Sequence, residues 1–251
     1  MITYLNLGRY GRLGNQMFQI ASTIGIAISS GLEYGFPHWV NHDHAERFHS
    51  PEDVDLSKYF LHDLPRVKPD QYRQLDVPWG YHSFRCPDKT SIGGYLQSEK
   101  YFLHCREQIL HYFELVPYAD IPFIDGNCVA IHVRRGDYDE IHHPRLGMEY
   151  YGKALALLPT GIKLYVFSDD IPSCRQMFGS NAEYVEGNHY MKDFFLMTQF
   201  SNFIIANSSF SWWGAWLSKQ TNKTVFTPSR WFGPAYTISP EDIYAQNWII
   251  L

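Results

Sequence analysis

The chain predicts an α/β fold organised on a parallel sheet and divided in two near residue 120, and three observations carry that reading. A short apolar run, Cys128 to Val133, bounded on its left by Asp125-Gly126-Asn127, has the length and composition of a buried strand. Beyond it, strand-like and helix-like stretches alternate, the signature of parallel strands joined by crossover helices. Pro117 to Gly126 holds two prolines and short polar turns, and so separates a first region, residues 1–120, from a second, residues 121–251.

In chain order, Thr3 to Leu7 reads as the first strand, and Gly8-Arg9-Tyr10-Gly11-Arg12-Leu13-Gly14 as a glycine-rich turn into a helix starting near Asn15. Met17, Ile20, Ala21, Ile24 and Ile28 recur at three- and four-residue spacing and predict one buried stripe on that helix. Strand, glycine loop and helix N-terminus together make an anion-accepting corner. The spacing is neither G-x-G-x-x-G nor a Walker loop, and the glycines serve equally well to turn the chain tightly. From Pro37 to Pro87 periodicity is lost, which predicts loops and short helices forming one wall of a cleft. His38, His42 and His44 have no Asp, Glu or Cys at a diagnostic spacing, so hydrogen-bonded or surface histidines outrank a metal site. Ser91 to Phe102 predicts a strand turning into a helix, with Ser98 as N-cap and Phe102, Ile109, Leu110 and Phe113 as its buried face to about Leu115.

In the second region Met148 to Leu158 predicts a helix, Lys163 to Ser168 a strand ending in Asp169-Asp170, and Asp193 to Phe200 another helix. Phe203 to Ala206 predicts a buried strand running into Asn207-Ser208-Ser209-Phe210-Ser211-Trp212-Trp213. Three strands thus deliver three polar clusters to one edge: Arg134-Arg135 after His132, Asp169-Asp170, and Asn207-Ser208-Ser209-Ser211. Ligands of open α/β sheets bind at the carboxyl ends of strands, and paired guanidinium groups there fit phosphate oxygens. Each cluster has a plainer alternative. One arginine can simply pair with Asp137; the hydroxyls can be ordinary helix caps; Asp169-Asp170 can accept from a base or ribose, or cap a helix before Pro172. A metal-binding role for this acidic pair ranks last, because no D-x-D spacing is present. Of Trp212, Trp213 and Trp216, at least one is expected in the core.

Hydrophobic residues make up 45% and charged residues 19%, which excludes a disordered chain. A net charge of −5 gives no general attraction to nucleic acid or anionic membrane, so an arginine site must act locally. Cys86, Cys105, Cys128 and Cys174 are widely spaced without a C-x-x-C pair, and reduced thiols in a cytoplasmic protein are expected. The N-terminus lacks a basic and then apolar leader pattern, and no stretch reaches the roughly 20 apolar residues of a membrane span. The expectation is a soluble protein that reaches any membrane-linked material by peripheral contact at the cytoplasmic face.

Taken together, Gly11-Arg12-Leu13-Gly14-Asn15-Gln16-Met17, Gly94-Tyr95-Leu96-Gln97-Ser98-Glu99-Lys100-Tyr101-Phe102, His132-Val133-Arg134-Arg135-Gly136-Asp137-Tyr138, Phe167-Ser168-Asp169-Asp170 and Asn207-Ser208-Ser209-Phe210-Ser211-Trp212-Trp213 resemble the inverting α-1,2-fucosyltransferases of glycosyltransferase family 11. All five stretches occur in order along nearly the whole chain. The resemblance implies a GT-B architecture, two Rossmann-like domains facing across a cleft, with the first on the acceptor side and the second binding the GDP-sugar. It implies GDP-β-L-fucose as donor, no required metal and no other cofactor, and a galactose-terminated oligosaccharide or lipid-linked glycan as acceptor.

The resemblance also implies roles for residues. Arg134 would hold the β-phosphate, with His132 and Arg135 beside it; Asp169 or Asp170 would read guanine; Asn207, Ser208, Ser209 and Ser211 would form the phosphate-binding turn. Arg12, Gly14, Asn15 and Gln16 would face the donor sugar and the departing phosphate, Arg12 and Asn15 above all. Arg134 and Asp137 would be catalytic. Asp137 would accept the acceptor's proton or else orient an arginine, which would leave the base to Asp139, Glu140 or His142, or to none if GDP departs well ahead of attack. The chain is short for this family, which bears on the acceptor rather than the donor. Two rivals stand beside this reading: the same scaffold with another nucleotide sugar or acceptor hydroxyl, and a non-catalytic glycan- or nucleotide-binding protein.

Overall fold

The computed structural model describes residues 1–42 and 53–251; His44 lies outside the described residues. They divide into two compact units, Met1–Val116 with Glu241–Ala245, and Pro117–Pro240 with Gln246–Leu251. The first boundary falls at Pro117, where the prolines begin. Unlike the division at residue 120, the structure returns Glu241–Ala245 to the first unit. Directional bonds hold this segment there: Asp242 Oδ1 accepts from Lys100 Nζ at 2.6 Å and Oδ2 from the Tyr81 N–H at 2.8 Å.

The first unit is built on a three-stranded parallel sheet. Its strands are β1 (Ile2–Thr3), β4 (Arg73–Asp76) and β5 (Thr90–Gly93), in the order β1-β5-β4. A separate antiparallel pair joins β2 (Val40–Asn41) to β3 (Val54–Asp55). The strand expected over Thr3 to Leu7 stops at Thr3, because the chain turns at once and the Leu7 N–H bonds the Tyr4 carbonyl at 3.1 Å. Helix α1 (Leu13–Ser30) starts two residues earlier than expected and is buried almost all round rather than on one stripe, Gln16, Gln19, Ser22 and Thr23 included; Ile28 is only half-buried. Close packing accounts for this: a Cβ on Gly25 would sit 1.9 Å from the Tyr101 carbonyl oxygen. The helix ends on Gly31 at φ +70°, where the Leu32 N–H reaches back to the Ala27 carbonyl at 3.0 Å. After β5 the chain makes two short 3₁₀ turns before helix α2 (Arg106–Tyr112), in place of one continuous helix from Ser98. Ser98 still caps, accepting from the Lys100 N–H at 3.4 Å.

The second unit holds a six-stranded sheet, parallel throughout. In chain order it comprises β6 (Cys128–Val133), α3 (Met148–Ala156), β7 (Lys163–Ser168), α4 (Ile171–Phe178), β8 (Ala182–Val185), α5 (Tyr190–Met197), β9 (Asn202–Ile204), α6 (Ser209–Leu217), β10 (Thr224–Thr227) and β11 (Ile249–Ile250). The strand order is β11-β10-β9-β6-β7-β8. Every residue of β6 is buried, as expected of a strand covered on both faces. Val129, Ile131 and Val133 pack with Tyr150, Tyr151 and Ala154 of α3 and Cys174 of α4. On the opposite face His132 lies against Phe210 of α6, and Phe210 against Phe194 of α5. Because β7 and β9 flank β6 in parallel register, the chain segments that leave all three emerge at one edge.

Candidate active site

The turn after β6 is closed by Asp169, which follows the neighbouring strand β7. Its Oδ1 accepts from the Arg135 N–H and its Oδ2 from the Gly136 N–H, both at 2.9 Å. Arg134 Nη1 lies 2.8 Å from the same Oδ2. A Cβ at position 136 would stand 2.6 Å from that oxygen, so glycine is what lets the carboxylate approach. Arg134 Nη2 donates to Asp137 Oδ1 at 2.5 Å. One guanidinium, 14% exposed, is thus braced by two carboxylates at the carboxyl edge of the sheet.

The two arginines part company there. Arg135 turns toward α4, its Nη2 2.9 Å from Met177 Sδ and its buried Nε without a hydrogen-bond partner. The expected pair of guanidinium groups is therefore a single one, because Arg135 is drawn toward Met177 on α4.

His132 and Ser211 lie beneath this edge. Ser211 Oγ lies 3.3 Å from the Ser208 carbonyl oxygen and 2.9 Å from His132 Nδ1, so one short contact ties the ring to the start of α6. Burial first, and the Arg134 charge second, push the His132 pKa down to about 3, so the ring is neutral at working pH. Asn207 is also interior: its Nδ2 donates to the Pro144 and Trp231 carbonyls at 3.2 and 3.0 Å, and its own carbonyl accepts from Tyr138 at 2.6 Å. These three residues shape the edge from within. Ser208 and Ser209 open α6, with Ser208 as an extended N-cap that makes no side-chain capping bond. The start of α6 therefore offers backbone N–H groups and short hydroxyls on the strand end next to Arg134.

Asp170 takes the plainer of its roles, capping α4 by accepting from the Ser173 N–H at 3.1 Å. Trp212, Trp213 and Trp216 are all buried, with ring centroids of successive pairs 4.9 and 5.2 Å apart, so all three, and not just one, belong to the core. Among the remaining base candidates, Asp139 accepts from the His142 N–H at 2.6 Å and from its ring at 3.0 Å, and these bonds hold its pKa down to about 2. Glu140 accepts from the Arg145 N–H at 3.3 Å and lies 3.4 Å from Arg230.

In the first unit the glycine loop carries Gly11 at φ +72°, where a Cβ would stand 2.3 Å from Asn15 Nδ2. Arg12 is the extended N-cap of α1, its carbonyl accepting from the Gln16 N–H at 3.0 Å, and Gly14 is buried in the first turn. Gln16 is fully buried: Nε2 donates to the Gly11 carbonyl at 2.7 Å and to Asn41 at 2.6 Å, and Oε1 accepts from Trp39 Nε1 at 2.8 Å. It braces the loop instead of facing a ligand. Asn15 Oδ1 accepts from Gln97 Nε2 at 2.6 Å. Gln97 lies in a quoted motif, yet its tie to Asn15 joins residues 82 apart and no local spacing announces it. His38 sits between Arg66 at 2.8 Å and Asp55 at 3.2 Å, and His42 stands 3.0 Å from Asp53, so each histidine has a different carboxylate.

Comparison with known proteins extends this geometry. The family described as Glycosyl transferase family 11 matches residues 5–251. The O-antigen biosynthesis glycosyltransferase WbnK of Escherichia coli is 37% identical over 63% of this chain and 58% of its own length. An alpha-1,2-colitosyltransferase of Escherichia coli is 33% identical over 55% of this chain and 55% of its own length. The chain thus spans somewhat more than half the length of these curated relatives. Among solved structures, NodZ alpha-1,6-fucosyltransferase soaked with GDP-fucose matches with a TM-score of 0.53 at 14% identity, over 88% of this chain and 96% of that one. At that identity the likeness is one of fold, the GT-B type.

Proposed function

Since the chain belongs to glycosyl transferase family 11, we propose that it transfers L-fucose from GDP-β-L-fucose to the 2-hydroxyl of a terminal galactose on a glycan, with inversion and without a metal ion. The observation that carries this reading is the guanidinium of Arg134, fixed by Asp137 and Asp169 at a strand end next to the one that opens α6. In the reaction the C1–O bond breaks and its electron pair passes to the β-phosphate. The acceptor oxygen bonds C1 from the opposite face and gives up its proton. Arg134 faces the charge that develops on the phosphate and does what a divalent cation does in metal-dependent transferases. The two carboxylates keep it from reorganising as that charge appears. Ser208, Ser209 and the first N–H groups of α6 add neutral donors to the same diphosphate. For Arg12 and Asn15 of the first unit we keep the roles toward the donor that the family resemblance implies.

The proton-transfer step follows from the ion pairs. We assign Asp137 chiefly to orienting Arg134, since its Oδ1 already accepts from that side chain. Asp139, held near 2, is a weak base, and His142 is tied to it. A transition state in which GDP departs ahead of attack needs no strong base, and the proton passes to solvent water after the new bond has begun to form. Replacing Arg134 by Ala separates the enzyme from a binding module. Turnover should fall by about 10²–10³ with the fold intact, the range for loss of one preorganised donor, whereas a glycan-binding protein would keep its affinity.

The relative named alpha-1,2-colitosyltransferase favours a second reading, in which the donor sugar is colitose, the 3-deoxy counterpart of L-fucose. The ratio of kcat/KM for the two GDP-sugars decides between them. No helix among the described residues is long and apolar enough to cross a membrane. We place the reaction in the cytoplasm, in keeping with the free thiols of Cys86, Cys105, Cys128 and Cys174, with a lipid-linked acceptor met by peripheral contact.

A further inference from the structure

The segment that follows β5 is strained and pinned. Leu96, a buried residue, has φ +53°, a left-handed conformation that costs a non-glycine side chain of order 1 kcal/mol. Gly94 before it stands at φ +110°. Hydrogen bonds from separate elements hold the turn in place. Tyr4 Oη donates to the Gly94 carbonyl at 2.9 Å, Ser22 Oγ of α1 donates to the Leu96 carbonyl at 2.9 Å, and the Ser98 N–H donates to the same carbonyl at 2.8 Å. The side chain that this arrangement aims is Gln97, and its amide reaches Asn15 Oδ1 at 2.6 Å.

We infer that Gln97 is a positioning residue that fixes which end of the Asn15 carboxamide serves the reaction. Gln97 donates, so Asn15 must present its oxygen to Gln97 and its Nδ2 to the other side, where only Gly11, lacking a Cβ, leaves room for it. Asn15 is thereby set as a hydrogen-bond donor. A donor is what an oxygen gaining charge requires, and a carboxamide turned the other way would point an acceptor lone pair at it. The strain at Leu96 is the cost of placing Gln97 where it can hold this orientation. The inference rests on the proposed transferase reading, in which Asn15 serves the donor.

The test uses Gln97→Met, which removes the bond at similar volume, and Gln97→Glu. A glutamate can only accept, so it forces Asn15 to turn its Nδ2 inward and its oxygen toward the ligand. With GDP-fucose and lactose, kcat should fall about tenfold in Gln97→Met and further in Gln97→Glu, while the Kd for GDP changes less than about twofold. In an Asn15→Ala background neither substitution should lower kcat again, because the group being oriented is gone. The same pair is read without turnover by ¹⁵N–¹H NMR. The Asn15 side-chain amide signals, identified by their loss in Asn15→Ala, should move in Gln97→Glu. A kcat kept within about twofold in Gln97→Glu, losses that multiply with Asn15→Ala, or unmoved Asn15 signals each overturn the inference. Wild-type protein that releases no GDP from GDP-fucose overturns the fucosyl reading instead, and the amide signals then still decide the pairing.

Discussion

At the scale of single residues, the proposed chemistry concentrates on Arg134, which two carboxylates hold. Arg134→Lys should recover little of what Arg134→Ala loses, because an ammonium cannot span two carboxylates and a phosphate as a planar fork can; kcat on GDP-fucose measures it. Asp137→Asn tests the division of labour. As an orienting residue Asp137 is worth about 10-fold to 10²-fold in kcat, with an unchanged pH–rate profile, whereas a general base would take about 10³-fold or more and the acidic limb with it. His132 makes a prediction about stability. Its folded pKa lies near 3 against an ordinary 6.5, so the folded state favours the neutral ring. The associated stabilisation is whole above about 6.5 and drains away as pH falls toward about 3, by at most about 1.4 kcal/mol per pH unit. Urea midpoints across that window should fall more steeply for the wild type than for His132→Gln.

At the scale of elements, α6 has two ends with different duties. Its start offers donors, and its end is capped by Lys223, whose Nζ lies 3.0, 3.2 and 3.1 Å from the carbonyl oxygens of Ala215, Trp216 and Ser218. Lys223→Met should cost about 1–2 kcal/mol of stability and leave GDP affinity alone; denaturant unfolding and calorimetric titration read the two separately. The strands that carry the site, β6, β7 and β9, were legible because each is an apolar run ending in a polar cluster. Helix α4 was not, since Ile171-Pro172-Ser173-Cys174-Arg175-Gln176-Met177-Phe178 buries only Ile171 and Cys174 and shows little periodicity. The stripe expected on α1 proved too narrow, because polar residues such as Gln16 and Ser22 find partners inside and join the core. The fate of Arg135 and the tie between Asn15 and Gln97 were illegible for a shared reason: both depend on neighbours far along the chain, Met177 and Gln97.

At the scale of the whole molecule, each unit presents one edge of a parallel sheet with its own chemistry, Arg134 and the start of α6 in the second, the glycine loop with Asn15 and Gln97 in the first. The chain is shared between them in an order that motifs do not reveal, since Glu241–Ala245 returns to the first unit and Gln246–Leu251 to the second. The central claim is that a protein arginine does the work of a metal ion in breaking the bond between GDP and a fucose-type sugar. The measurement that tests it most directly is acceptor-dependent release of GDP from GDP-fucose, with and without excess chelator, on lactose and other galactose-terminated glycans, with NMR of the product. Equal rates in both conditions and an α-1,2-linked fucosyl product are the predicted result. Release that chelator abolishes, or a protein that neither binds nor turns over GDP-fucose or GDP-colitose, would contradict it.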